Sequence, residues 1–452
     1  MVANVKKALL VRGFWASSAR ASARRAMSAR ALLVVVLAAM LVGVTACGAT
    51  QSGNSAAGSA AADPDPPAAT PPAACSTAVL DTLTSVLGRV YREGIDSERT
   101  FSAQFLIAHS RALRAAVESA SASAARAAAH ALLATGHMTN LLVTRGAKTL
   151  VDLGGPALAP LQGAIVGAHG QPIASYVTSV WADNGFLTES GGITEGLVAL
   201  RAGSRNVGGS PSLGVGALAR EGTLTRAGVA YRYTSFAVHS YPAGSARVYL
   251  LMPYSTIDKL CGSTPADTAV NTLRGVANLI YTAESGHRAQ AQVHRAQRNR
   301  PLLEAVAHHD AQAARLAIDA LLNQHIVRVR VDAGGQLLSD VGGPYVLAPV
   351  SAPLRQRGHT IGTLELSIQD DEGYLRLARR LAGLDVLMYM NPSHPQLVKD
   401  SLGPAPGPAL AEVPAEGSFN YKGHSYRVFT VNAQAFPSGP LVIRVLVPLP
   451  YR

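Results

Sequence analysis

The pentapeptide Asp-Leu-Gly-Gly-Pro at 152–156 returns as Asp-Val-Gly-Gly-Pro at 340–344, and its flanks return with it. Ala-Ala-Arg at 124–126 and Ala-Leu-Leu at 131–133 answer 313–315 and 320–322. His137 and His325 each stand 17 residues before the first glycine of their Gly-Gly-Pro. Downstream, SVWADNGFL (179–187) faces SIQDDEGYL (367–375). The stretch 231–253 then runs without a gap against 426–448. So long a period describes tandem modules rather than a solenoid, whose units run about 20–50 residues. The copies span residues 75–253 and 261–448.

Each copy has the same order of elements. Apolar residues at helical spacing come first, in LDTLTSVLGRVYRE and in FSAQFLIAHSRALRAAVESASASAARAAAHALLAT. A break is expected at Gly94, with Asp96 or Ser97 as N-cap, and again at Ser285-Gly286. This predicts a long helix or helical hairpin. Alternating strands follow, such as VRVRV (327–331) and HTIGTLELSIQ, then a short helix, EGYLRLARRLAG, and LDVLMYM. A terminal hairpin turns at Pro-Ala-Gly (242–244) or Pro-Ser-Gly (437–439). The fold class is therefore α+β, each module a long N-terminal helix plus an antiparallel sheet of five or six strands with an inserted helix.

That layout is PAS-like. The stretch VRVRVDAGGQLLSDVGGPYV…GHTIGTLELSIQDDEGYLRLARRLAG resembles the Cache family of extracytoplasmic PAS-like sensor domains, and NLLVTRGAKTLVDLGGPAL…GQPIASYVTSVWADNGFL resembles it less closely. The resemblance implies binding of small extracellular molecules. Family members usually signal through a membrane helix to an intracellular domain. No such domain precedes Arg452, so a membrane-protein signalling partner is expected.

Residues 1–46 carry seven basic residues and no acidic ones, and 31–44 are uncharged and apolar. A basic region, a short apolar run and a small-residue exit make an export signal. The compact form begins at Met27, a possible true start. LVGVTAC resembles the lipobox of bacterial lipoproteins, which implies lipidation of Cys47 and anchoring at the extracytoplasmic face of the cell membrane. The alternative is an uncleaved spanning helix over 31–50. Residues 47–74, small, polar and Pro-rich, read as a flexible tether. Of the net charge of +12, removing the seven leaves about +5, scattered along the chain. Basic patches interleaved with aromatics are missing, which excludes a nucleic-acid partner.

With Cys47 lipidated, Cys75 and Cys261 remain in an oxidising setting, where an even number favours a disulfide. A catalytic motif, a metal-ligand spacing and a cofactor fingerprint are all missing, so the reading is of a non-enzyme without metal or cofactor. Adjacent His308 and His309 point apart on a helix and cannot chelate together. Asp183, Asp370 and Asp371 fall where the inserted helix begins, as N-caps do.

Ligand candidates come from strand alternation. Leu364, Leu366 and Ile368 form one face; Thr363, Glu365, Ser367 and Gln369 form the other. Ser175, Val177, Ser179 and Trp181 take that second face in the first copy. Tyr231 and Tyr426 head strands expected alongside. One pocket of Ser179, Trp181 and Tyr231 and another of Ser367, Gln369 and Tyr426 follow, with Arg328 or Arg330 able to select charge. Solvated arginines and packing tyrosines are the plainer alternative. The function expected is ligand binding as a sensing or accessory component; the alternative is an interaction or scaffold lipoprotein with filled pockets. Large apolar groups on the Ser179/Ser367 face favour the scaffold, an open polar cavity favours binding. Trp181 against Gln369 predicts that the copies differ.

Overall fold

The first copy opens with helix α1 (Ala73–Asp96), whose Val79, Leu83, Val86, Leu87 and Val90 recur at three- and four-residue spacing and are fully buried. Burial of each is worth about 2 kcal/mol. Gly94 does not break this helix. The break comes at Ser97, whose hydroxyl accepts from Thr100 N at 3.2 Å and starts α2 (Glu98–His109). Helices α3 (Arg111–Glu118) and α4 (Ala122–Leu133) follow, each capped by a serine. The described residues of this computed structural model are 71–209, 218–283, 285–322, 326–343, 346–390, 395–403, 406–436 and 439–451. Cys47 and most of the tether therefore lie outside them. So do His325, Pro344 and the Pro-Ser pair of the second terminal turn at 437–438. Residues 66–452 form one compact unit.

The strands divide between two sheets, where one sheet per copy was expected. Strands β1 (Asn140–Arg145), β2 (Lys148–Gly154), β4 (Leu161–Val166) and β5 (Pro172–Ser179) pair in the order β2-β1-β5-β4. Helices α2 to α4 pack on this smaller sheet through Ile107, Leu113, Val117, Leu141, Val143 and Tyr176. The larger sheet takes the two-residue strands β3 (Ala157–Leu158) and β6 (Trp181–Ala182), then β7 (Leu197–Ala202) and β8 (Arg205–Gly209). It is completed by β9 (Glu221–Arg226), β10 (Val229–Tyr241) and β11 (Gly244–Pro253). Its order is β6-β3-β10-β11-β7-β8, with β9 on β10, and helix α5 (Asp183–Thr194) is inserted between β6 and β7.

After helix α6 (Tyr254–Leu260) the second copy repeats this, from α7 (Pro265–Ala283) through α8 (His287–Gln297), α9 (Arg300–Ala307) and α10 (Ala311–Leu322). Its smaller sheet is β12 (Arg328–Ala333), β13 (Gln336–Gly342), β15 (Val350–Gln356) and β16 (His359–Ser367). Its larger sheet has β14 (Val346–Leu347), β17 (Gln369–Asp370), β18 (Asp385–Met390), β19 (Gln396–Asp400), β20 (Gly417–Tyr421), β21 (His424–Phe436) and β22 (Gly439–Leu449). Helix α11 (Asp371–Ala382) is the inserted one. The α+β class with antiparallel sheets is the one expected.

Gly-Gly-Pro marks the first place in each copy where the chain leaves the smaller sheet for the larger. Gly154 has φ +97°, and a Cβ there would meet Thr139 O and lie 2.5 Å from Asn140 Cα. Gly342, at φ +136°, stands in the same way against Val327 O and Arg328 Cα. Only glycine tolerates both the dihedral and the approach. The pentapeptide is written twice because the crossing is built twice.

The two copies share one core. Helices α1, α5, α7 and α11 pack together between the two larger sheets, α11 of the second copy on α1 of the first and α5 of the first on α7 of the second. Ala246, Val248, Leu250 and Met252 of β11 and Leu441, Ile443, Val445 and Val447 of β22 point into it, at the period of two that a strand imposes. Cys75 and Cys261 join the copies, their Cα atoms 5.6 Å apart. Cys75 lies inside α1, whereas Cys261 precedes α7, so they are near-equivalent rather than matched places.

Candidate functional site

Ser179 and Ser367 are buried and occupied. Ser179 donates to Leu158 O, lies 3.1 Å from Trp181 O and accepts from Trp181 N (3.0 Å). Ser367 repeats these contacts with Leu347 O, Gln369 O (3.1 Å) and Gln369 N (3.2 Å). Each hydroxyl clips together two of the three places in its copy where the chain crosses between sheets. The polar residue needed on that face meets backbone, not ligand.

The tyrosines stand elsewhere. Ser240 of β10 pairs with Leu158, and Tyr231 lies nine residues further along β10, roughly 30 Å away at 3.3 Å per residue. Ala435 of β21 pairs with Leu347, and Tyr426 is likewise nine residues off. Tyr231 packs with Tyr233 and Tyr249 on the outer face of its sheet, and Tyr426 with Tyr389, Val428 and Leu446 on that of the other. Neither expected trio forms a pocket. Alternation placed Leu364 and Leu366 inside, but it ran Ser367 and Gln369 together as one face although they belong to β16 and β17 of different sheets, and it cannot say that β10 and β21 run past the crossing toward the far end of the sheet.

Arg328 is not free to select a charged ligand. It holds Asp340 through two bonds of 2.8 and 2.9 Å, donates to Gly343 O and lies over the Phe436 ring at 5.3 Å. Only 13% and 15% of the two side chains is exposed. The first copy solves the same place differently: Tyr241 O–H donates to Asp152 at 2.7 Å, and burial together with that carboxylate pushes the phenol up to about 12. Arg330 pairs with Asp332 at 3.2 Å. Asp370 caps α11, accepting from Gly373 N at 2.6 Å. Asp183 and Asp371 are instead the first residues inside their helices, one place past the cap. Burial raises the Asp371 carboxyl, against the pull of Glu372 N–H and Lys399.

Gln369 is where the polar face does open. A cavity of about 790 Å³ lies between α8, the end of α10 and the start of α11. Arg288, Ala291 and Gln292 line it from α8; Leu322, Ile326 and Val327 from the end of α10 and beyond. Ile368, Gln369, Asp370, Gly373, Arg376 and Leu377 close it. Gln369 is 4% exposed, and its Oε1 has no hydrogen-bond partner. Such a group costs about 1–3 kcal/mol. Arg288 also reaches Glu189 of α5 at 3.1 Å, so the cavity opens at the seam between copies.

Trp181 holds the equivalent place in the first copy. Its indole packs edge-on to Phe186, ring centres 6.3 Å apart, and lies against α1 so closely that a Cβ on Gly94 would stand 2.7 Å from Cδ1. Gly94 is thus a contact glycine inside a helix. A large apolar group fills the first copy where the second keeps an amide and a cavity. Arg288 and Arg376 were not picked out from the sequence. The signal that reaches Arg376 is the spacing of Gly373, Arg376 and Leu377 on one face of α11; nothing local reaches Arg288. Among the described residues no group of three or more His, Cys, Asp or Glu could hold a metal, and no described helix is long and apolar enough to cross a membrane.

No family model matches the sequence, and no curated protein does. Among solved structures, the LuxQ periplasmic domain of Vibrio cholerae is similar at 12% identity and a TM-score of 0.26, over 38% of this chain and 95% of that one. An extracellular ligand binding receptor from Desulfohalobium retbaense is similar at 9% identity and a TM-score of 0.21, over 50% of this chain and 47% of that one.

Proposed function

We propose that this chain is a non-catalytic, extracytoplasmic ligand-binding component, lipid-anchored through Cys47, with one binding site in its second copy. The observation that carries the reading is the cavity of about 790 Å³ that Gln369 lines in the second copy, at the place Trp181 holds in the first. A pocket lined mostly by apolar side chains with a few convergent polar groups is the usual form of a small-molecule site. The copies act as Cache-like modules of unequal role. The first, with Trp181 in place, serves as a scaffold against which the second is held, through α1, α5 and the Arg288–Glu189 contact. The output passes to a membrane partner.

A thermal-shift screen of the oxidised protein against amines, carboxylates, sugars and purines tests this. A ligand at 100 times its dissociation constant adds roughly 2.7 kcal/mol. The expected hit raises the melting temperature of the wild type and not of Gln369→Trp, which copies the first module's filling. A hit that survives Gln369→Trp places binding elsewhere. A broad library without hits favours the reading of both copies as scaffold.

A further inference from the structure

We infer that the end of the body where α1 and α7 begin is a docking surface for an anionic lipid bilayer, touched through the tips of the β9–β10 and β20–β21 hairpins. This rests on the anchored reading above. Cys75, in the first turn of α1, is bonded to Cys261, just ahead of α7, so both helices start from one end. The long strands start there too. Asp267 of α7 pairs with Arg427 of β21 at 3.2 Å, and further along the same two elements Tyr281 O–H donates to Gln434 O at 3.4 Å. The two contacts are about 21 Å apart along the helix and about 23 Å apart along the strand, so α7 and β21 run side by side in one direction. In the first copy Tyr91 O–H makes the matching bond to His239 O at 3.4 Å. From it α1 runs back about 27 Å to Ala73, whereas β10 and its turn run back roughly 40 Å to Ala227. The turn therefore stands about 13 Å beyond the start of α1. The turn at Lys422 projects beyond Pro265 of α7 by about the same amount.

The tips carry the chemistry of a headgroup layer. Val229 beside the first turn and Leu449, which pairs with Ser425 beside the second, are each 41% exposed. Lys422 Nζ lies 4.9 Å over the Tyr421 ring. An amine above an aromatic ring and next to an aliphatic group is the form amphipathic side chains take at an interface. The charges at this end are Arg226 and Lys422 on the tips, Arg232 behind the first tip, and Lys259 with Asp258 on α6. Glu412, in the segment whose Pro406 O accepts from Tyr421 O–H, folds back on Ala409 N at 3.1 Å. Asp267 is held by Arg427. Glu221 sits opposite Thr234, roughly 20 Å behind the tip and well beyond the screening length of about 8 Å. The surplus facing outward is positive. Residues 48–72 span at most about 90 Å from Cys47 and join the body at this same end. The anchor thus brings these tips, rather than the smaller sheets, to the bilayer. Each Lys or Arg at an anionic surface is worth about fivefold.

The intact chain, purified from membranes and reconstituted in vesicles of equimolar phosphatidylglycerol and phosphatidylcholine, tests this with tryptophan reporters and a headgroup-nitroxide lipid as quencher. Val229→Trp and Leu449→Trp put a reporter at each tip. Phe105→Trp, at an exposed ring of α2 past the other end of α1, is the control. Quenching is read above that of the unsubstituted chain, which holds Trp15 and Trp181. Both tip reporters are expected to be quenched and the control not. Lys422→Gln, a change at an exposed turn, should lower the ratio of tip-down to other orientations about fivefold, and Arg226→Gln with Lys422→Gln about 25-fold. Vesicles of pure phosphatidylcholine should act like the double change. A control quenched as strongly as the tips, or tips left unquenched on a chain that floats with the vesicles, overturns the docking surface and leaves the anchor standing. Quenching that survives both the double change and pure phosphatidylcholine overturns the anionic lipid. A chain that does not float with the vesicles overturns the anchored reading and the docking surface with it.

Discussion

Gly154→Ala beside Gly155→Ala is the sharpest test of why Gly-Gly-Pro is written twice. The two glycines are neighbours, yet their surroundings are opposite. At Gly154 the backbone is at φ +97°, and an added Cβ would stand 2.5 Å from Asn140 Cα and meet Thr139 O; around Gly155 nothing lies within 4 Å. An alanine at 154 incurs about 1–3 kcal/mol of backbone strain. It also has to push β1 aside, an overpacking cost of about 1–3 kcal/mol. The Asn140–Gly154 register pair is at the end of the β1–β2 ladder, so relief by fraying is available and the total should settle near 4 kcal/mol. At Gly155 the change should stay within about 0.5 kcal/mol, as at most unconstrained surface positions. In urea denaturation followed by circular dichroism, with the disulfide intact and an m-value of about 3 kcal/mol/M, Gly154→Ala should lower the midpoint by roughly 1.3 M. Gly155→Ala should hardly move it. Equal shifts for the two variants, or a neutral Gly154→Ala, would refute the crossing argument.

Other consequences follow from the same geometry. Replacing both Cys75 and Cys261 by serine opens a loop of 186 residues and should cost at most about 5 kcal/mol by chain entropy, read from the urea midpoint against the oxidised wild type. Arg328→Met should cost about 3 kcal/mol by stranding Asp340 in a mostly buried place, and the double change with Asp340→Asn should cost less than the sum of the two, which a double-mutant cycle reads directly. Burial raises the Asp371 carboxyl above its ordinary 3.8, so the stability of its protonated form is present below that value and lost as pH rises through the folded value. Asp371→Asn should therefore stabilise at pH 7 and give no gain below about pH 4, measured as melting temperature against pH.

Much of the fold was legible because it was written twice. Repetition marked both Gly-Gly-Pro segments, the inserted helix and the terminal hairpin, and period-two alternation assigned Leu364 and Leu366 to the core. The division into two sheets was not legible. It depends on β3 and β6, strands of two residues, β6 pairing with β3 and β3 with the distant β10. Nor was the shared core, since the stripe of α1 reads the same whether it packs on its own sheet or on a second copy. For the site, Gln369 lay within reach of alternation because its amide sits on a strand face that should have been apolar. Ser367, two residues before it and on a strand of the other sheet, was misread: a buried serine satisfied by Leu347 O looks in sequence like one awaiting a ligand. Arg288 approaches from a helix some 80 residues upstream, and no local pattern connects the two.

Hydrogen exchange of the intact chain, with and without a ligand found by the screen, tests most directly whether the second copy alone is the binding module. The account predicts slowed exchange in α8 and in the first turn of α11, with the matching segment at Trp181–Ala182 and the start of α5 unchanged. Protection at the Trp181 segment instead, or on the outer tyrosine faces around Tyr231 or Tyr426, would contradict it.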